Sequence, residues 1–158
     1  MKILLFITYL FSNLFAPPES VVHTNVVGEL RLDNFKNEVF LEAILDKRYL
    51  TVALKNEGDC TPDEMLTVCG SKYLMEHTNI AVNEAEVEPI QQSVEVQRDF
   101  VVFKYSLGDQ GTINQVTLQS DYMTDYFDHS EINVSVEIYQ LSRTYRITEE
   151  RSSVTINL

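Results

Sequence analysis

The segment Glu131–Tyr139, EINVSVEIY, alternates apolar and polar residues without a break. On an extended chain its four apolar side chains share one side: Ile132, Val134, Val136 and Ile138. A two-residue period of this kind predicts a β-strand with one buried face. The segment Asn37–Leu45, NEVFLEAIL, has the same period. We therefore expect antiparallel sheets whose apolar faces pack together.

Weaker β-patterns cover much of the remaining chain: Glu29–Leu32, Tyr49–Lys55, Asn79–Glu88, Gln92–Leu107, Thr112–Gln119, Arg143–Ile147 and Ser153–Leu158. Polar turns predict that residues 37–55 form one hairpin and that the last two segments pair with each other. One helix is predicted to begin at Thr61, with Glu64 placed for a capping box, and to end at Cys69 or Gly70. The predicted fold class is all-β, an antiparallel β-sandwich of eight or nine strands with one short helix.

Residues 1–16 have the order of a secretory signal peptide. Lys2 precedes an apolar run over 3–10 that resumes through Phe15, and the small residue Ala16 precedes two prolines. The run is shorter than the roughly 18 apolar residues that suggest a membrane span, so no membrane anchor is predicted. A buried N-terminal segment is the alternative. We expect residues 17–158 to form one secreted domain that is a monomer.

The chain has two cysteines, Cys60 and Cys69. In an oxidising compartment two such residues pair. A straight helix over residues 62–69 would separate their Cα atoms by about 13 Å. A disulfide needs them within about 7 Å. Either the helix ends near Leu66 and the chain turns back, or the thiols stay unpaired. We predict the disulfide.

The formal net charge is −12 in 158 residues, spread along the chain. Such a surface repels nucleic acid and anionic membranes, so neither is expected as a partner. It would attract a basic protein and accelerate its encounter. Solubility alone is the other explanation of this charge.

Two acidic segments are predicted to bind a basic partner. Glu84, Glu86 and Glu88 would share one face of a strand, with Ala85 and Val87 toward the core. An edge strand kept soluble by charge is the alternative. The loop of residues 121–130 combines acids with aromatics, as protein interfaces do, and its candidate residues are Asp121, Tyr122, Asp125 and Tyr126. Some of these aromatics could instead belong to the core.

The sequence contains no recognisable catalytic or metal-binding motif. His23, His77 and His129 are not spaced as a metal pair, and no cofactor is expected. Asp121, Asp125 and Asp128 lack the glycine and the closing glutamate of a calcium loop. The chain is predicted not to be an enzyme, and a thiol hydrolase using Cys69 is the enzymatic alternative. Asn133-Val134-Ser135 is an N-glycosylation sequon on the outward side of its strand.

Three segments resemble a known family. Cys60–Tyr73, CTPDEMLTVCGSKY, and Glu88–Val96, EPIQQSVEV, resemble the poxvirus SECRET domain, the chemokine-binding domain at the C-terminal end of poxvirus tumour-necrosis-factor receptor homologues. Leu118–Tyr122, followed by the strand over 132–138, resembles the wider group of poxvirus secreted chemokine-binding sandwiches. The likeness covers most of residues 20–158.

The resemblance implies a secreted viral decoy that binds host chemokines and blocks receptor engagement. Two cysteines cannot build the cysteine-rich repeats of a tumour-necrosis-factor receptor, so a stand-alone member is implied. The wider family often has more cysteines, so the resemblance does not itself support the predicted disulfide between Cys60 and Cys69. No contact residue can be carried over from the family, so the candidate site residues rest on the charge and aromatic patterns above. A sandwich that binds another immune ligand or a host cell-surface receptor is the alternative.

Overall fold

Two β-sheets make up most of the molecule in the computed structural model, which describes residues 25–158 apart from 36, 58, 59, 62, 63, 123 and 125. The described residues form ten strands: β1 (Asn25–Phe35), β2 (Glu38–Asp46), β3 (Thr78–Val82), β4 (Ala85–Glu86), β5 (Ile90–Val96), β6 (Phe100–Asp109), β7 (Gln115–Ser120), β8 (Ser130–Ile138), β9 (Leu141–Thr148) and β10 (Ser153–Asn157). They also form three helical segments: α1 (Lys47–Glu57), a π-helical turn (Met65–Cys69) and α2 (Gly70–Glu76). The predicted all-β class is confirmed, with more strands and helical segments than expected. The predicted signal peptide lies outside the described residues.

One sheet has six strands in the order β5-β6-β2-β1-β8-β9, and the other has four in the order β10-β7-β3-β4. Neighbouring strands are antiparallel except β1 and β8, which run parallel. Because most of the chain separates β1 from β8, no tight turn sets their relative direction. This parallel pair lies near the centre of the six-stranded sheet and brings together residues from opposite ends of the chain.

The two-residue period decides which side of each strand faces the core. The four apolar side chains of β8 are buried as predicted: Ile132, Val134, Val136 and Ile138. The matching side chains of β2 are buried in the same core: Val39, Leu41, Ala43 and Leu45. Burial of each valine, leucine or isoleucine among them stabilises the fold by about 1.5–3 kcal/mol relative to leaving the side chain in water, and the smaller Ala43 contributes less. Residues at alternate positions therefore project from the other side of the six-stranded sheet.

The segment Tyr49–Lys55 lies in α1, so its prediction as the second strand of a hairpin is wrong. Its buried side chains follow a helical period: Leu50, Ala53 and Leu54. Asp46 Oδ1 accepts a hydrogen bond from the backbone N–H of Arg48 at 2.8 Å. This bond satisfies one of the free amides at the start of a helix, which is how an N-cap residue acts. The short apolar run fits both periods, and the cap at Asp46 favours the helix.

The predicted disulfide between Cys60 and Cys69 is confirmed, with 6.2 Å between the Cα atoms. The chain turns before the helical segment, whereas we expected a turn after it. Thr61 Oγ1 donates to Glu64 Oε2 at 2.9 Å, and the backbone N–H of Glu64 donates to the Thr61 carbonyl at 3.2 Å. This turn brings the two cysteines together.

Gly70 does not end the helical segment, because the chain continues as α2 to Glu76. A Cβ atom at position 70 would lie 2.9 Å from Phe103 Cζ and 3.3 Å from Leu50 Cδ2. Glycine is needed here for close packing of α2 on the sheet, and it has helical φ and ψ angles. The sequence alone does not distinguish this role from that of a helix terminator.

The structure differs from the predicted strands in three further places, two where a segment divides and one where the pairing changes. The segment Asn79–Glu88 bends at residues 83–84 into β3 and β4. The segment Gln92–Leu107, where Arg98-Asp99 indicates a bulge or bend, turns fully at residues 97–99 and forms the antiparallel pair β5 and β6. The last two strands do not pair with each other, because β9 joins β8 in one sheet and β10 joins β7 in the other. The turn after Thr148 therefore carries the chain from one sheet to the other.

Candidate functional site

The outward side chains at the centre of the six-stranded sheet form an exposed charged surface. Strand β1 contributes Glu29, Arg31 and Asp33, with Glu42 of β2 and Glu137 of β8 on either side. With Lys104 and Ser135 they line a shallow depression of about 700 Å³. We call this surface the acidic face, and its members are Glu29, Arg31, Asp33, Glu42, Lys104, Ser135 and Glu137. Four carboxylates outnumber two cations on it.

Arg31 lies in the middle of the acidic face and binds two of its carboxylates. Two guanidinium nitrogens donate to the two oxygens of Glu29, each at 3.0 Å, and a third donates to Glu42 Oε1 at 3.5 Å. Ser135 Oγ donates to Glu29 Oε1 at 2.8 Å. The bonds from Arg31 hold the pKa of Glu29 below its ordinary value, against the opposing effect of partial burial. Glu29 is therefore fully ionised at neutral pH.

The other carboxylates of the acidic face differ in how far they are neutralised. Lys104 Nζ lies 3.0 Å from Glu42 Oε2. Asp33 lies directly opposite Glu137 in the parallel register of β1 and β8. Neither of these two acids forms a salt bridge with another described residue, although the charge of Arg31 interacts with Glu137 at longer range. Like charges placed opposite each other destabilise a sheet, so this pair would favour a cation supplied by a ligand.

Exposed apolar side chains border the acidic face at both ends. Phe35, two residues after Asp33 on β1, is 67 % exposed, and Tyr139, just after β8, is 53 % exposed. At the opposite end Phe100 is 44 % exposed and Val26 is 49 % exposed. Aromatic side chains beside charged ones are typical of surfaces that bind other proteins.

The glutamates at 84, 86 and 88 do not share one strand face as predicted. Glu84 lies in a turn with Asn83, and both have positive φ angles, 69° and 51°. Glu86 is on β4 and Glu88 follows it; all three glutamates are exposed. Ala85 is exposed as well, contrary to prediction, whereas Val87 packs against the core. Strand β4 is the edge of the four-stranded sheet, where charge also limits unwanted pairing. Their role in binding stays a prediction.

The loop after β7 holds its predicted residues in different environments. Asp121 is exposed, and its Oδ1 lies 2.9 Å from His77 Nδ1. Tyr122 is 0 % exposed, so its side chain belongs to the core and we remove it from the candidate binding residues. Burial raises the pKa of Tyr122 far above its ordinary value. Tyr126 is half-buried against the core, and Asp125 lies outside the described residues.

Asn133 lies on the outward side of β8, between Glu29 of β1 and Arg146 of β9. It is half-buried, and the next outward residue on the strand is Ser135 of the acidic face. A glycan attached to Asn133 would therefore cover the acidic face. Glycosylation and binding through this face exclude each other on steric grounds.

The acidic face was missed as a site by sequence reasoning. Its signal is the alternation of charged residues over Glu29–Asp33 and Glu38–Glu42, which predicts outward carboxylates on two strands. The remaining carboxylate of the acidic face, Glu137, belongs to β8, which is far from β1 in sequence and next to it in the sheet. Only the pairing of β1 with β8 brings Glu137 to the other three carboxylates.

Across the described residues, no group of three or more His, Cys, Asp or Glu side chains is arranged to hold a metal ion. In the same part of the chain, no helix is long and apolar enough to cross a membrane. A scan against protein-family models finds no match, and a search of curated proteins finds no relative.

Proposed function

We propose that this chain is a secreted viral protein that binds host chemokines and prevents them from engaging their receptors. Chemokines are small basic proteins, and the acidic face offers them a negative surface. The resemblance of Cys60–Tyr73 and Glu88–Val96 to the SECRET domain supports this class of partner. The disulfide between Cys60 and Cys69 supports folding in an oxidising compartment, as secretion requires.

The observation that carries the proposal is that Asp33 and Glu137 lie opposite each other on the acidic face and neither forms a salt bridge with another described residue. A basic ligand would relieve the repulsion between these carboxylates while gaining two ion pairs. The net charge of −12 adds long-range attraction for a cationic protein. Both effects act in the same direction, toward fast association with a basic partner.

The mechanism is occlusion without turnover. Charge on the acidic face would mainly set the association rate, because it acts before contact. Buried apolar contacts would mainly set the dissociation rate, because they must be broken on leaving. A ligand held on the face would have its own basic surface covered, and that surface is the one it presents to receptors or glycosaminoglycans.

The test is a comparison of two double variants that remove the same number of charges. Asp33→Asn with Glu137→Gln neutralises the unpaired acids of the acidic face. The control, Glu86→Gln with Glu88→Gln, neutralises two exposed acids at the edge of the other sheet. Association rates with chemokines are measured by surface plasmon resonance at low and high salt.

We expect the variant of the acidic face to associate at least about threefold more slowly at low salt, and with a flatter salt dependence, than the control. Equal slowing of both variants would mean that only net charge matters and would remove the acidic face from the site. Greater slowing in the control would instead favour Glu86 and Glu88 as the binding residues.

Glycosylation offers a second test of the same face. If the protein secreted by eukaryotic cells binds chemokines through the acidic face, Asn133 must be unmodified in the binding fraction. Intact-mass measurement of the chemokine-bound and unbound fractions distinguishes the cases. A glycan on Asn133 in the bound fraction would exclude binding through the acidic face.

A further inference from the structure

We infer that an apolar depression beside the acidic face takes up an apolar side chain of the same basic partner and that this contact sets the lifetime of the complex. This inference rests on the proposed function and extends it, because it adds a second part to the binding surface with a different task. We call this depression the apolar pocket, and the side chains that define it are Val26, Ile44 and Phe100.

The apolar pocket lies on the outer side of the six-stranded sheet and has a volume of about 300 Å³. Ile44 of β2 is half-buried, and its partners in the ladder are Glu29 of β1 and Val102 of β6. Phe100 lies two residues before Val102, so both side chains project from the same side of β6. Val26 is 49 % exposed and Phe100 is 44 % exposed. The sheet therefore leaves apolar surface open to a partner at this end.

The apolar pocket is continuous with the acidic face. Glu29 and Arg31 line both the charged depression and the apolar pocket. Along β1, Asp33 lies four residues beyond Glu29, a distance of about 13 Å at the rise of a strand. A protein interface of ordinary size covers about 800 Å² on each partner and spans roughly twice this distance. A partner protein that binds the acidic face therefore covers the apolar pocket as well.

The two carboxylates that line the apolar pocket already form salt bridges. Glu29 is bound by Arg31, as described above, and Arg48 donates to both oxygens of Asp46, at 3.2 and 2.8 Å. A cation of the partner would gain little here, because each carboxylate is occupied by an arginine of the chain. An apolar side chain displaces no ion pair and removes apolar surface from water. The chemistry of the pocket therefore favours an apolar occupant.

The two parts of the surface act at different stages of binding. The acidic face attracts the partner before contact, so its charge acts on the association rate. The apolar pocket contributes only after water has been excluded from it, so it acts on the dissociation rate. Aromatic side chains are frequent hot spots of protein interfaces, and Phe100 is the aromatic residue of the pocket. Loss of the Phe100 ring should therefore shorten the lifetime of the complex.

Two other occupants of the apolar pocket are distinguishable from a side chain of the partner. Asn133 also lines the pocket, so a glycan on Asn133 would lie over it. A second copy of this chain would bring another net charge of −12 toward the adjoining acidic face, and like charges repel. A basic partner is favoured because its charge complements the neighbouring carboxylates.

The experiment uses the full mature protein and the chemokines that the unsubstituted protein binds in a plasmon-resonance panel. The test variants are Phe100→Ala and Val26→Ala. The control is Val52→Ala, which removes the same atoms as Val26→Ala from a side chain of similar exposure, 45 %, on α1 and outside the apolar pocket. Thermal unfolding checks that each variant retains its fold, and sedimentation velocity measures self-association.

We expect Phe100→Ala to raise the dissociation rate at least about fivefold and Val26→Ala at least about threefold, with association rates within about twofold. Val52→Ala should change dissociation less than about twofold. Unchanged dissociation for both test variants, with chemokine binding intact, would overturn this inference and leave the proposed function standing. An equal effect of Val52→Ala would overturn it as well.

The other occupants give different results. Self-association of the unsubstituted protein that Phe100→Ala abolishes would place a second copy in the apolar pocket and overturn this inference. A loss of thermal stability on Phe100→Ala only in glycosylated protein, with unchanged dissociation, would place the glycan there instead. Absence of chemokine binding by the unsubstituted protein would overturn the proposed function, and this inference with it.

Discussion

Replacing Gly28 by alanine should destabilise the protein through a clash in the core. An alanine Cβ would lie 2.9 Å from the carbonyl oxygen of Ile44 and 3.0 Å from Leu45 Cδ2, and closer still to Tyr122 Oη. The φ angle of Gly28 is not positive, so alanine has no conformational penalty here and the cost is steric. The carbonyl of Ile44 belongs to β2, which pairs with β1, so it cannot move without disturbing the ladder.

The magnitude follows from opposing contributions. Alanine gains about 0.4–1 kcal/mol from the smaller entropy of the unfolded chain and about 0.8 kcal/mol from burial of a methyl group. Overpacking of a core typically costs about 1–3 kcal/mol net. Because one neighbour is backbone and another is a fully buried tyrosine, we expect a net loss of about 2–3 kcal/mol in the free energy of unfolding for Gly28→Ala.

A double-mutant cycle combines Gly28→Ala with Tyr122→Phe. The second substitution removes the oxygen closest to the new methyl group. The Tyr122 hydroxyl is buried and has no hydrogen-bond partner among the described residues, so Tyr122→Phe alone should leave stability unchanged or raise it by about 1 kcal/mol. Tyr105→Phe is the control. The Tyr105 hydroxyl lies 2.8 Å from Ser71 Oγ, and losing that bond should cost about 0.5–1.5 kcal/mol.

The assay is urea unfolding of the four proteins of the cycle, followed by circular dichroism. In the Gly28→Ala background, Tyr122→Phe should recover at least about 1 kcal/mol more than it gains alone, because the two residues are in direct contact. Strict additivity would contradict the packing described here. A free energy of unfolding for Gly28→Ala within about 0.5 kcal/mol of that of the unsubstituted protein would also contradict this packing.

Three further predictions concern the disulfide, the acidic face and Tyr122. Replacing Cys60 and Cys69 together by serine should cost about 2.5–3 kcal/mol in urea unfolding, as expected for a closed loop of about ten residues, and no loss would mean that the bond is dispensable. Because the folded pKa of Glu29 is lowered, its stabilising contribution is present above the ordinary value of 4.5 and is lost as pH falls through the folded pKa. Glu29→Gln should therefore lower the free energy of unfolding at pH 7, and the values for the variant and the unsubstituted protein should converge in acid. A difference in unfolding free energy that stays constant across pH would contradict this prediction. Tyr122→Phe should leave chemokine association and dissociation unchanged, since the side chain is buried, and weaker binding would restore that residue to the site.

Alternation of apolar residues was sufficient to predict the strands that matter most. In Glu131–Tyr139 and Asn37–Leu45 the burial of every second residue is as the sequence indicates. Such strands are recognised because one face is buried and the other is not. The segment Tyr49–Lys55 was missed because a short apolar run fits a helix equally well, and the decisive contact is a hydrogen bond to Asp46.

The candidate site was harder to predict because it depends on pairing between distant strands. The acids at 84, 86 and 88 are close in sequence, but a turn with positive φ at Glu84 separates them in space. Asp33 and Glu137 are far apart in sequence and lie opposite each other. The combination of aromatic and acidic residues in the loop of residues 121–130 predicts a surface position for Tyr122, whereas tertiary packing buries it. No local pattern distinguishes these outcomes.

The most direct test of the proposed function is plasmon resonance of the purified mature protein against a full panel of human and mouse chemokines at two salt concentrations. We expect nanomolar binding to a subset of basic chemokines, with association that slows as salt rises. Asp33→Asn with Glu137→Gln should flatten this salt dependence more than Glu86→Gln with Glu88→Gln does. Silence across the panel, from protein shown to be folded and disulfide-bonded, would contradict the proposed function.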